Sequence, residues 1–244
     1  MTEKLTANLP QIPAMNELWL ETLSWQPSSF QQEQFQKLYQ VVLAGNKRLN
    51  LTRISEPDEF WEKHLWDSLR GIFPNYKPED DTDLKVIDIG TGAGFPGVPV
   101  AIANPNWQIK LLDSTQKKLV FIDSYLEELG IKNAQTITAR AEEIGRKFEH
   151  RQSYDLVLIR AVGAASLAAE YALPLLKMNG TAILYRGHWT EEETTSLQPV
   201  LEKWGAELIF IDSFTTPLTN SVRHCLHLKK TTKPNQNFPR KLNS

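Results

Sequence analysis

"DIGTGAGFPG", residues 88–97, sets four glycines, Gly90, Gly92, Gly94 and Gly97, within eight positions. It overlaps the end of the strand candidate "KVIDI" (85–89), so the reading is a strand that ends in a tight, ligand-cradling loop and re-enters as a helix. Gly92 to Gly97 also satisfies G-x-G-x-x-G, a weak pattern by itself. Asp113 closes the next apolar run, "QIKLLD", about 20 residues on, where an acid meets ribose hydroxyls. A dinucleotide and S-adenosylmethionine (SAM) both carry that ribose. Asp88 separates them. It stands two residues before Gly90, where a dinucleotide would place a pyrophosphate that a carboxylate repels. SAM brings a sulfonium and an ammonium instead, which a carboxylate attracts. The loop is therefore better described as D-x-G-x-G-x-G. No G-x-x-x-x-G-K-[ST] is present, which disfavours nucleotide hydrolases and kinases.

Outward from this loop the chain alternates. Strand candidates are "KVIDI" (85–89), "QIKLLD" (108–113), "AQTIT" (134–138), "YDLVLI" (154–159) and "TAILY" (181–185), with helical stretches between them, clearest over 116–130. This predicts an α/β fold with a parallel sheet and crossover helices on both faces. "AELIFIDSF" (206–214) and "RHCLHLKK" (223–230) leave no room for a helix between them. They are expected to form an antiparallel pair at the sheet edge, the usual ending of SAM-dependent methyltransferases.

Upstream, Phe35, Leu38, Tyr39, Val42 and Leu43 recur at helical spacing, with Gly45 or Asn46 as the expected stop. A second helix is expected near Ser55, with Pro57 in its first turn and Phe60, Trp61, Leu65 and Leu69 on one face. The division read from the pattern is a loose start (1–14), a helical layer (15–83), a SAM-binding domain (84–229) and a basic tail (230–244). The tail reads either as a solvated extension or as an RNA contact. "PNYKPEDDTD" (74–83) reads as the loop at the boundary.

Across 244 residues the net charge is −2, with 41% hydrophobic and 23% charged residues and one cysteine, Cys225. Such a balance argues against coating nucleic acid by charge. A single cysteine excludes an internal disulfide and a cysteine-based zinc site, and no metal site is expected. No apolar run approaches the roughly 18 residues that cross a bilayer, and no signal peptide is read, so a cytoplasmic protein without a membrane partner is expected.

The acceptor narrows by chemistry. Amine methylation of adenine is usually marked by [DNS]-P-P-[YF] after the fourth strand; "IRAVGAAS" stands there instead. Pyrimidine C5 methylation requires a cysteine nucleophile, and Cys225 lies in the last strand. An acceptor with a free lone pair remains, of which guanine N7 is one. It requires in-line alignment and exclusion of water but no general base.

The motifs "NLT" (50–52), "KHLWDS" (63–68), "DIGTGAGFPGVPVAI" (88–102), "LLDSTQKKLVFI" (111–122), "RAEE" (140–143), "IRAV" (159–162), "RG" (186–187) and "RH" (223–224) resemble, in order, the RsmG (GidB) family. The resemblance implies a class I SAM-dependent methyltransferase fold. Its sheet is Rossmann-like, seven-stranded and mostly parallel with an antiparallel last strand, behind an N-terminal helical extension. It implies methyl transfer from SAM to guanine N7 in the 530 loop of 16S rRNA in the small ribosomal subunit, by a monomer. The implied donor contacts are Asp88, Gly90, Gly92, Gly94, Phe95, Asp113, Ser114, Thr115, Ala141, Glu142 and Arg160, with Arg160 positioning rather than exchanging protons. Asn50, His64, Asp67, Ser68, Arg186 and Arg223 are the substrate-side candidates. His64 also reads as a core histidine held by a hydrogen bond. Lys63 and Arg186 depart from the family's usual arginine and lysine, keeping charge but changing geometry. An NAD(P)-dependent oxidoreductase, a non-catalytic SAM-binding module and a small-molecule methyltransferase are the alternatives.

Overall fold

The computed structural model describes residues 10–76 and 83–234. Among these, seven strands form one sheet in the order β3-β2-β1-β4-β5-β7-β6. The strands are β1 (Lys85–Ile89), β2 (Gln108–Asp113), β3 (Ala134–Thr138), β4 (Tyr154–Arg160), β5 (Leu176–Arg186), β6 (Ala206–Thr215) and β7 (Val222–Lys230). β1 pairs in parallel with β2 and β4, and β4 with β5. β7 runs antiparallel to both neighbours and inserts between β5 and β6. The terminal pair thus lies at the edge, with β6 outermost. Strand order reverses at β1, so ligands of such a sheet gather beyond the carboxyl ends of β1 and β4.

Alternation along the strands builds two cores. Val86, Leu111, Leu158 and Ile183 face one; Ile87, Leu112, Ile159 and Leu184 face the other. The second core is covered by α8 (Ala165–Ala172) and α9 (Glu191–Trp204). The first is covered by α5 (Gly97–Ala103), α6 (Gln116–Glu128) and the N-terminal helices. These are α1 (Asn16–Leu23), α2 (Ser29–Leu49) and a continuous helical stretch made of α3 (Pro57–Phe60), a π-helical turn (Trp61–Trp66) and α4 (Asp67–Arg70). A short α7 (Ala141–Ile144) follows β3.

Three features differ from expectation. α2 does not stop at Gly45 or Asn46. Gly45 lies inside the helix, where a Cβ would stand 2.4 Å from the Phe121 ring, so glycine there permits close approach of α6. The helix stops at Asn50, which takes a left-handed conformation (φ 48°) that asparagine tolerates. The stretch after Pro57 carries the expected apolar face, all of it buried, but its middle is π-helical. Lys230 is the last residue of β7, not the first of a tail. Its buried Nζ donates to the carbonyls of Leu173 and Leu176, and burial lowers its pKa to about 8. Most of the expected tail, and most of the expected loose start, lie outside the described residues.

Candidate functional site

The glycine loop is tied at both ends by Asp88. Its Oδ2 accepts from Thr91 Oγ1 (2.6 Å) and from the Gly97 amide (2.8 Å), while Oδ1 is buried without a partner among the described residues. Burial raises its pKa to about 6, against the pull of those two donors and of Arg160. Asp88 is fully buried, so it underlies the loop rather than opening to solvent. Gly90, Gly92 and Gly94 hold positive φ (73°, 61° and 101°), which a side chain would strain. Gly94 is also crowded, since a Cβ there would stand 2.1 Å from the Tyr125 hydroxyl.

Asp113, at the end of β2, receives the Gly92 amide on Oδ2 (3.0 Å) and the Thr115 amide on Oδ1 (2.8 Å). A carboxylate has about four acceptor sites, so two remain for a ligand. Asp113 lines a cleft of ≈ 210 Å³ together with Gly90, Ser114, Ala141 and Glu142. Leu112, Ala139 and Val162 complete its apolar wall. Five of the predicted donor residues are therefore in one cleft. Asp88, Gly92, Gly94, Phe95, Thr115 and Arg160 are not among its lining residues: Asp88 underlies the loop, Gly92 orients Asp113, Gly94 packs on Tyr125, and Thr115 stands at the N-cap position of α6. Positive φ at Ala161 (58°) and Gly163 (50°) bends the chain sharply after β4, which brings Val162 to that wall.

Phe95 faces the helical layer. His64 stacks on it with centroids 4.3 Å apart at 10°, and Phe60 meets it edge-on at 5.7 Å. His64 Nε2 shares a hydrogen bond with Thr52 Oγ1 (2.8 Å), and the Asn46 side chain bonds both backbone groups of Thr52. His64 Nδ1 is buried without a partner among the described residues. Burial, then the charges of Arg160 and Lys63, push its pKa down to about 3. It is a neutral ring in a packed contact.

The π-helical turn and the start of α4 carry three more links. Arg160 Nη1 donates to the Lys63 carbonyl and to Asp67 Oδ2, each at 3.0 Å, with its guanidinium 5.9 Å from the Phe95 ring centre. Burial raises the pKa of Asp67 even against the opposing pull of Arg160. Ser68 is fully buried, donating to the His64 carbonyl (2.5 Å) while its own carbonyl accepts from Tyr185 (2.7 Å). This corrects its expected substrate-side place: it fastens the helix to β5. Asn50 acts as the cap of α2. Arg186 donates to the Gly163 carbonyl (2.7 Å) and to Glu193 (2.9 Å), closing the rim between β4 and β5. Arg223 bonds only its neighbour's carbonyl, that of Val222, among the described residues.

Sequence reasoning missed Glu62. It is fully buried, accepting from the amides of Leu218 (2.6 Å) and Thr219 (2.9 Å) on Oε1 and from the Thr219 hydroxyl (2.6 Å) on Oε2. Burial works to raise its pKa, but these donors outweigh it and the net shift is downward. The available signal was an acid set between buried aromatic residues in "FWEKHLW". Cys225 is buried with its pKa raised by that burial, so its thiol is no exposed nucleophile. Among the described residues there is no metal-binding cluster, and no helix is long and apolar enough to cross a membrane.

Residues 31–225 match the GidB family, described as rRNA small subunit methyltransferase G. The chain belongs to this family. A Ribosomal RNA small subunit methyltransferase G from Trichormus variabilis is 60% identical over 231 residues, 94% of each chain. Among solved structures, M. jannaschii TYW2 in complex with AdoMet is similar at TM-score 0.55 and 15% identity, covering 74% of this chain and 79% of that one. The 16S rRNA (adenine(1408)-N(1))-methyltransferase from Catenulisporales acidiphilia superimposes at TM-score 0.53 and 15% identity, covering 64% and 88%. At such identities these two speak for the fold, which is that of class I SAM-dependent methyltransferases. Family membership removes the dinucleotide-dependent oxidoreductase from the alternatives.

Proposed function

We propose that this protein transfers a methyl group from SAM to N7 of a guanine in the 530 loop of 16S rRNA, in the cytoplasm. The carrying observation is the cleft that joins Gly90, Asp113, Ala141 and Glu142, in a chain of the GidB family. The residues fit an adenosine: Asp113 has lone pairs left for ribose hydroxyls, and Leu112, Ala139 and Val162 supply apolar walls for a base. The unpartnered Oδ1 of Asp88 favours a cationic neighbour over a pyrophosphate. SAM supplies an activated methyl group on a positively charged sulfur.

The remaining work belongs to the chain. Guanine N7 is unprotonated at neutral pH, so no residue has to take a proton. The site agrees with this: His64 is a poor base with its pKa near 3, and Cys225 is covered. Arg160, held by Lys63 and Asp67, keeps guanidinium donors free. It suits guanine O6 or the methionine carboxylate, provided that it leaves N7 open. The packed His64–Phe95 contact walls water from one side of the loop.

The test is incubation with methyl-labelled SAM and small subunits or deproteinised rRNA lacking the modification, followed by borohydride reduction and aniline cleavage. One new cut in the 530 loop is expected. Label elsewhere, or none, overturns the assignment.

A further inference from the structure

α2 and α6 lie side by side and antiparallel. Gln34, early in α2, donates to the carbonyl of Leu129 just beyond α6 (3.2 Å), while Gly45, late in α2, presses on Phe121, early in α6. The end of α2 therefore lies beside the start of α6. Lys47 and Arg48 occupy that last turn of α2, Lys117 and Lys118 the first turn of α6, and Arg53 the loop between α2 and α3. Leu51 in that loop also reaches the Gly45 position, which brings Arg53's segment to the same corner. Four of these cations are exposed and Lys118 is half-buried.

Among the described residues none of the five makes an ion pair, whereas Lys63, Arg140, Lys177 and Lys203 are each matched to an acid. Glu56 and Asp58 lie beyond Arg53 at the start of α3, and Asp123, further along α6, accepts from Thr136. The chain as a whole is slightly acidic, so this corner departs from the average. It also touches the site. α6 starts three residues after Asp113, and Thr52, next to Arg53, reaches Phe95 through His64.

We propose that this α2–α6 corner is the seat for the phosphate backbone of the RNA substrate. The inference rests on the function proposed above and names a surface for it. Unpaired cations from three neighbouring elements match the repeating charge of a polynucleotide, and their place at the carboxyl edge of the sheet delivers the strand to the mouth of the cleft. Specificity is left to the contacts deeper in the site.

The experiment measures the affinity for deproteinised small-subunit rRNA between 50 and 200 mM salt. It uses the full chain, the triple variant Arg48→Ala/Lys117→Ala/Lys118→Ala, and the control Lys85→Ala/Lys132→Ala at the opposite sheet edge. SAM affinity, measured in parallel, reports an intact donor site. Each phosphate contact contributes a slope of about 0.7–0.9 in log affinity against log salt. The triple variant should lose about two slope units and bind at least about tenfold more weakly at 100 mM, with SAM affinity and the control unchanged. An unchanged slope in the triple variant, with wild-type methylation intact, overturns the corner and leaves the function standing. Absence of rRNA binding and methylation in the wild type overturns the function, and the corner with it.

Discussion

Acidification from pH 7 to pH 5 should weaken the joint between the helical layer and the glycine loop, and His64 sets the size of the effect. The ring is buried, stacked on Phe95 and close to the cations Arg160 and Lys63, which together hold its pKa at about 3 against an ordinary 6.5. Protonation would also give a second ring donor, and only Nε2 has a partner, in Thr52. Below pH 6.5 the unfolded chain takes up this proton and the folded chain does not. The contribution is thus complete above pH 6.5 and is lost as pH falls toward 3. Between pH 7 and pH 5 the linkage amounts to about 2 kcal/mol from this one ring. Urea unfolding at both pH values, for the wild type and for His64→Gln, measures it. His227 is likewise lowered, to about 4, chiefly by burial, but it titrates in both proteins and cancels in the difference. The wild type should lose about 2 kcal/mol more than His64→Gln. Equal losses would refute the buried, neutral state of His64.

Glu62→Ala should cost about 2–4 kcal/mol by freeing the Leu218–Thr219 turn, and should raise KM for rRNA while leaving SAM affinity intact, whereas Glu62→Gln keeps most of both. A KM equal to wild type in Glu62→Ala would separate that turn from the acceptor side. Gly45→Ala should destabilise by about 1–3 kcal/mol in thermal unfolding, because the new methyl meets Phe121, although helix propensity by itself favours alanine by about 1 kcal/mol. A stabilised variant would show that α6 yields. Asp113→Asn should weaken SAM binding about tenfold or more by calorimetry, and unchanged affinity would remove the ribose contact.

The sheet was legible because its strands are short apolar runs bounded by turn residues. β1, β2 and β3 begin and end where the pattern places them, whereas β5 begins at Leu176, earlier than "TAILY" suggests. The insertion of β7 between β5 and β6 is a matter of pairing order, which no local pattern encodes. The cleft was legible in part. Gly90 and Asp113 carry recognisable spacing and Ala141 and Glu142 follow from the family resemblance, but Leu112, Ala139 and Val162 are ordinary apolar residues until the fold sets them around one volume. Gly45 misled for a physical reason: a glycine near a helix end reads as a stop, yet here it answers to the tertiary approach of Phe121. Ser68 and Glu62 had the opposite problem. Polar residues suggest solvent or substrate, and both are buried because their partners arrive from Tyr185 and from the turn at Leu218–Thr219.

The π-helical turn explains how one short stretch reaches so many destinations. Its wider winding is fixed by the Asp67 amide bonding the Glu62 carbonyl, five residues back. Within that turn and the residue that follows, Glu62 meets the β6–β7 connection, the Lys63 carbonyl and Asp67 meet Arg160, and His64 meets Phe95. These are the segments after β6 and β1 and the last residue of β4, all at the carboxyl edge of the sheet. A break in composition at residues 74–83 reads as a boundary between two units, but the buried residues do not respect it. Trp19, Phe35 and Trp61 share one continuous core with Phe95, Leu111 and Tyr125. The helical layer is therefore part of the same packed body as the glycine loop. Its apolar face supplies the packing, and its polar residues set the geometry of the loops that the chemistry requires.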